Sequence, residues 1–304
     1  MRTWMLLALL LAGCGKPAEP PPPPIPAPDI PPLPVAGISP FLDQLEPESA
    51  LEVPDGAPIA LLWNLNPGLQ LAYDYRERRQ TLIKSTAKGR ELPPVTGSER
   101  YDGYIALVGG GDGRGEYRYK RTLREQEALG SPTPADRLNE AKPSLFQGLL
   151  RNDGVFTQSK RDSGDDEAPR IDLMLALPPE EISPGETQSR DFHFGTNITD
   201  WGYHGTLSMK HAGRRQVAGK ECVRLTGDLL LSLAPAPKML GRGVTTGKWV
   251  AYFDPAAGRY LRTALALTTT VSTIGSVNPG EGQQPYWSTL TVVWHSIMVA
   301  KLKE

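Results

Sequence analysis

The stretch Leu69-Gln70-Leu71-Ala72-Tyr73-Asp74-Tyr75-Arg76 places large apolar side chains at every second position. Successive side chains of an extended strand point to opposite faces. Leu69, Leu71, Tyr73 and Tyr75 therefore share one face, and Gln70, Ala72, Asp74 and Arg76 the other. A helix would scatter the same set around its circumference. The segment reads as a half-buried β-strand, and its aromatic residues suit a pleated, packed surface.

The two-residue period recurs through the chain from about residue 45 to 304, while helical spacing is hardly ever kept over three turns. Strands are expected at Tyr101 to Val108 and Glu116 to Leu123, around a flexible glycine-rich hairpin tip at 109–115. Others are expected at Val155 to Lys160, Ile171 to Leu177, Arg190 to Phe194, Gly205 to Lys210, Glu221 to Leu233, Lys248 to Phe253, Arg259 to Thr270 and Ser288 to Leu302. Between the strands ending at Phe253 and starting at Arg259, the run Asp254-Pro255-Ala256-Ala257-Gly258 supplies a proline for a tight turn and a glycine for positive φ. Short helices are expected at Ser39 to Leu45 and at Thr133 to Ala141, the latter with Thr133 as cap and Pro134 at the first helical position. The fold class is mainly β: one large antiparallel sheet curled as a half-barrel, or a two-sheet sandwich, with few short helices. Alternation alone does not choose between these.

The first residues follow a different logic. Arg2, an apolar run from Trp4 to Leu11, and the sequence Leu11-Ala12-Gly13-Cys14 have the order of a secretory signal ending in small residues and a cysteine. The run is too short for a spanning helix. This pattern resembles that of bacterial lipoproteins. The resemblance implies cleavage between Gly13 and Cys14, diacylglycerol on the Cys14 sulfur, and acylation of the new amino terminus. Gly15, where an aspartate would signal retention, implies export toward the outer membrane. Residues 1–13 are then a signal peptide, 14–40 a lipidated cysteine with a linker, and 45–304 a single β-rich domain. The linker carries Pro20 to Pro24 and further prolines up to Pro34. Proline fixes φ and removes a donor, so polyproline II is expected. At about 3.1 Å per residue, some 25 residues reach roughly 75 Å, a stiff spacer between bilayer and domain.

A second resemblance lies in residues 170 to 270. Leu177-Pro178-Pro179, Pro184-Gly185-Glu186-Thr187, Val217-Ala218-Gly219-Lys220-Glu221-Cys222, Gly247-Lys248-Trp249, Tyr252-Phe253-Asp254 and Gly258-Arg259 follow one another as in an uncharacterised family of secreted bacterial and lipoprotein β-domains. Gln188 stands where that family carries tryptophan, and the resemblance implies no activity. The chain is also similar to the half-barrels of periplasmic lipoprotein carriers, in which a concave apolar sheet face receives acyl chains.

Local catalytic motifs are missing. A net charge of -1 does not suit a nucleic-acid binder, which needs a basic surface to displace counterions. His193, His204, His211 and His295 lack the three- or four-residue spacing of helical metal ligands, and each fits a half-buried strand position. Asp162, Asp165, Asp166 and Glu167 lack the ordered spacing of a calcium loop. Gly243 to Lys248 is one residue short of a phosphate loop and is followed by Trp249 instead of a hydroxyl. Ser85-Thr86-Ala87-Lys88 fits Ser-x-x-Lys but ends a strand, without the companion elements of penicillin-interacting enzymes. With Cys14 lipidated, Cys222 has no disulfide partner and reads as a buried apolar group. The expectation is a non-enzymatic envelope protein without metal or cofactor. It meets the membrane through its N-terminal lipid and binds an apolar ligand such as lipid; the alternatives are a structural or protein-interaction module of the envelope, and an enzyme whose catalytic residues are scattered without a local motif. Tyr73, Tyr75, Trp249, Leu265 and Leu267 are the candidate lining of a cupped ligand face.

Overall fold

In the computed structural model, the described residues are 39–46, 51–54, 56–128, 130–140, 143–161, 173–195, 202–234, 240–277 and 286–303. The first half contributes β1 (Leu51–Val53), β2 (Gln70–Ala87), β3 (Arg90–Glu91), β4 (Val95–Gly111), β5 (Arg114–Ala128), β6 (Ser131–Pro132), α1 (Ala135–Glu140), β7 (Ser144–Arg151) and β8 (Phe156–Arg161). The second contributes β9 (Thr187–Gly195), β10 (Gly202–Val217), β11 (Lys220–Ala234), β12 (Leu240–Asp254), β13 (Arg259–Val277) and β14 (Tyr286–Leu302). All join one 14-stranded sheet whose main path runs β1-β10-β11-β12-β13-β14-β2-β4-β5-β7-β8. Its pairs are antiparallel, and the join between β14 and β2 brings the last strand against one of the first.

One sheet, and not two facing sheets, resolves the choice that alternation leaves open. Its curl is visible in a single bond. Arg190, on β9 at one edge, donates from its guanidinium to the carbonyl of Asp153, in the β7–β8 turn at the other edge, at 2.9 Å. The architecture is a half-barrel with a concave and a convex face.

Strict alternation builds it. Along β2 the burial pattern is eBeBeBeBeBe from Gln70 to Gln80, so Leu71, Tyr73 and Tyr75 lie on the concave side. In the β12–β13 turn, the Asp254 carboxylate accepts from the Ala257 amide at 3.0 Å. Gly258 has φ +61°, and a Cβ there would stand 2.6 Å from the Asn64 amide nitrogen, so glycine is required twice over. The 109–115 tip is packed as well as turned. A Cβ on Gly109 would lie 2.1 Å from the Asn66 carbonyl oxygen. The expected helices are a 3-10 turn at Leu42–Gln44 and α1.

Leu173 to Leu177 departs from the strand expected there. It pairs with no strand; instead it runs through the concave side, fully buried from Leu173 to Leu177. Its carbonyls serve as acceptors for concave-face side chains: Met174 O from Thr263 at 2.9 Å and Leu175 O from the Trp63 indole at 3.2 Å. A second crossing segment carries Leu61, Trp63 and Leu65 over the same end, bonding Trp63 N to Asn152 O and Asn64 N to Gly258 O. These two segments fill one end of the half-barrel. On the convex side, Phe41 and Leu45 cover Val250, Tyr252, Leu261, Ala264, Ala266 and Ile297. With cover on both sides, β13 is buried on both faces through its middle.

Candidate functional site

Strand register divides the concave face into rows. One row runs Trp249, Leu265, Met298, Glu77, Tyr101 across β12, β13, β14, β2 and β4. The next runs Gly247, Leu267, Ser296, Arg79, Glu99 and Gln126. Below them lie Tyr75 and Tyr73. The sequence-derived set Tyr73, Tyr75, Trp249, Leu265 and Leu267 thus falls on one face and in one core cluster, and the chain's own segments pack against it. All five are buried, between 0% and 2% exposed. Trp249 donates its indole N–H to Thr263 at 3.0 Å and lies over Gly227, where a Cβ would come within 3.2 Å of the ring.

Where these rows cross β2, β4 and β5, the apolar pattern gives way to a buried ionic network. Glu77 accepts from the Tyr75 hydroxyl at 2.9 Å, from Arg79 at 2.7 Å and from Arg121 at 2.7 Å. Glu99 accepts from Arg79 at 3.3 Å, the Tyr101 hydroxyl at 2.9 Å and the Gln126 amide at 3.0 Å. Both guanidinium groups face the Tyr101 ring, that of Arg121 at 4.4 Å from its centroid. Burial, and then the Glu77 charge, push the Tyr75 phenol well above its ordinary pKa; it stays protonated and donates. The signal was present in the sequence. At the inward positions of β2, Leu71, Tyr73 and Tyr75 are followed by Glu77 and Arg79 before Thr81 and Ile83 resume.

Beyond this network the face changes character. One row carries Thr245, Thr269, Trp294, Thr81 and Gly97, and the next Gly243, Val271, Val292, Ile83 and Val95. Trp294, Val292, Ile83 and Val95 are only partly buried, and inward-facing Leu290 is 41% exposed. Across β12 the wall is nearly bare, with Gly241, Gly243 and Gly247 separated by small Thr245. The result is an apolar wall whose β12 and β13 members, Thr245, Thr269 and Val271, are buried, and whose β14, β2 and β4 members are partly open to solvent.

No protein-family model matches the chain, and no curated protein does. Among solved structures, one titled "Lipid-protein interactions in lipovitellin" is similar over 79% of this chain and 26% of its own length, at 11% identity and a TM-score of 0.41. The chain spans about a quarter of that protein.

The other motifs fall into structural places. Gly243 to Lys248 lies inside β12, and Ser85 to Ala87 inside β2. Among the described residues, no group of three or more metal-ligating side chains forms, and no helix is long and apolar enough to cross a membrane. His193 and His204 stand opposite each other on β9 and β10, exposed. His211 is buried and accepts from the Gly213 amide at 3.2 Å, while His295 hydrogen-bonds Thr268 at 2.9 Å. Burial, reinforced by Asp254 and Glu221, pushes the Cys222 thiol up to about 12, so it is unreactive. It donates to the Arg215 carbonyl at 3.1 Å. Cys14 and the acidic residues 162–167 lie outside the described residues.

Proposed function

We propose that this chain is a lipid-anchored bacterial envelope protein whose half-barrel holds an apolar ligand such as a lipid, acting by binding and not by catalysis. The observation that carries the reading is the contrast along one face. The lower rows are covered by Leu61 to Leu65 and Leu173 to Leu177, whereas Ile83, Val95, Leu290, Val292 and Trp294 remain partly open to solvent. A contiguous apolar surface with a few polar groups is the usual composition of a small-molecule site. The Leu-Ala-Gly-Cys14 terminus and the proline-rich linker supply the anchor and spacer of the proposal.

Two measurements test it. The chain carrying Cys14→Ser, purified without detergent, is extracted with organic solvent and analysed by mass spectrometry. A co-purifying lipid near one equivalent is expected. Absence of lipid, together with failure to take up a fluorescent fatty-acyl probe, would overturn the binding reading in favour of a protein-interaction module. For the anchor, labelled palmitate is expected in the unaltered chain and not in Cys14→Ser; equal labelling of both would rule the anchor out.

A further inference from the structure

We infer that His193 and His204 form a two-histidine site on the convex face for a divalent transition-metal ion of the copper(II) and zinc(II) class. The inference is independent of the lipid reading. The two residues are direct partners in the antiparallel register of β9 and β10, within an unbroken ladder that runs from Gly202 opposite Gly195 to Lys210 opposite Thr187. Their parity sets the face. Leu207 and Met209 are buried in the core cluster and Phe192 packs against it, so His193 and His204, of opposite parity, turn outward, where both are exposed. Eleven residues separate them in the chain, so the spacing that marks metal ligands on a helix does not reveal the pair; strand pairing does.

The geometry suits one ion between two rings. Opposite residues of an antiparallel pair have Cβ atoms about 4.5 to 5.5 Å apart. Two imidazoles that hold an ion at about 2.0 to 2.1 Å need their ligand nitrogens about 3 Å apart, which rings leaning together from that base supply. The four histidines also differ in what they already do. His211 is buried and accepts from the Gly213 amide, and His295 is bonded to Thr268. Among the described residues, His193 and His204 have no hydrogen-bond or ion-pair partner, which leaves ring nitrogens of both available to coordinate. Asp191, exposed on the same face and opposite Thr206, adds a carboxylate that can accept from waters on the ion. The residues facing this patch from β11, Ser232 and Leu230, bring no cation to repel it. Imidazole suits copper, nickel and zinc, with affinity highest for copper(II), whereas calcium and magnesium require oxygen ligands. An ion so held ties β9, which joins the sheet through β10, to the body of the fold. That strand carries Arg190, whose bond to Asp153 closes the curl, so the ion braces the edge on which the half-barrel shape depends.

The test uses the Cys14→Ser chain, which lacks a competing thiol, stripped of metal with a chelator. Copper(II) is titrated at neutral pH and followed by calorimetry and electron paramagnetic resonance. One equivalent is expected, with hyperfine splitting from two nitrogens. His193→Gln and His204→Gln are each expected to weaken it at least about tenfold, a difference of about 1.4 kcal/mol, while His295→Gln leaves it unchanged. Both side chains of the pair are exposed, so the glutamine variants keep the fold, with circular dichroism as the check. Saturating zinc(II) is expected to slow amide hydrogen exchange along β9 at least about threefold, because an ion that needs both strands opposes their separation. The double variant should show no such slowing. A loss below about threefold in either single variant, copper bound equally by the chain lacking both histidines, or β9 exchange unaltered by zinc(II) would each overturn the site.

Discussion

The two halves of the concave face are written in the same alternating code and end in opposite states. Below the Glu77 row, Tyr73, Trp249 and Leu265 are sealed by the crossing segments around Trp63 and Leu175. Above it, Trp294, Val292 and Ile83 have the same strand parity and stay partly uncovered. Alternation therefore specifies which side chains turn inward and says nothing of what closes over them. The protein supplies its own cover at one end; in the proposed function, a ligand supplies it at the other.

The comparison breaks first at the closed end. Trp249→Ala should cost about 3 to 5 kcal/mol in urea unfolding, because it leaves a cavity in a packed cluster and strips Thr263 of a partner. A cost below about 1 kcal/mol would mean the closed half is not a packed core. Glu77→Gln should be of similar size, about 3 to 5 kcal/mol, since it leaves Arg79 and Arg121 facing each other without the carboxylate between them. Leu267→Trp probes the border between the halves. Leu267 is 1% exposed against Gly247, so overpacking of about 1 to 3 kcal/mol is expected, with calorimetry as the check. An unaltered melting temperature would extend the open region down to this row.

At the open end the effect should move from stability to binding. Trp294→Ala is expected to change unfolding by less than about 1.5 kcal/mol, the lower end of what full burial of such a side chain contributes. The same variant should weaken binding of the fluorescent fatty-acyl probe by about tenfold, equivalent to about 1.4 kcal/mol. The reverse pattern, large destabilisation with unchanged binding, would place Trp294 in the core instead. The smallest effect concerns pH. Burial lowers the His295 pKa from its ordinary 6.5. The unfolded chain then takes up the proton first, so stability is full above about pH 6.5 and declines as pH falls toward the folded value. His295→Gln should flatten that decline in melts between pH 7 and 5.

How much of this was legible follows from what each signal encodes. The strand at Leu69 to Arg76 could be read because one buried face and one wet face leave a mark in local sequence. The half-barrel could not be separated from a sandwich, because the distinction lies in the β14–β2 pairing and the Arg190–Asp153 approach, contacts between residues far apart in the chain. Leu173 to Leu177 misled for a physical reason: a segment surrounded on all sides is apolar throughout, as a buried strand would be. Of the candidate site, parity correctly grouped Tyr73 with Tyr75 and Leu265 with Leu267 on shared faces. Their degree of cover depended on Trp63 and Leu175, which no local pattern connects to them. The ionic network was visible as an interruption at Glu77 and Arg79, provided the alternation was followed past Arg76.

The Phe41 to Glu46 segment has a mechanical consequence. Phe41 and Leu45 lie on the convex side, Arg262 holds the carbonyls of Gln44 and Leu45, and Arg224 and Tyr252 hold the Glu46 carboxylate. A load entering at Ser39 therefore meets the back of the bowl, behind β11 to β13, and not its opening. It meets a small apolar patch and a few side-chain bonds before it meets any backbone ladder. In a single-molecule pull from the N-terminus, a short, low-force yield should precede rupture of the sheet, like a stitched strap tearing from a vessel that keeps its shape.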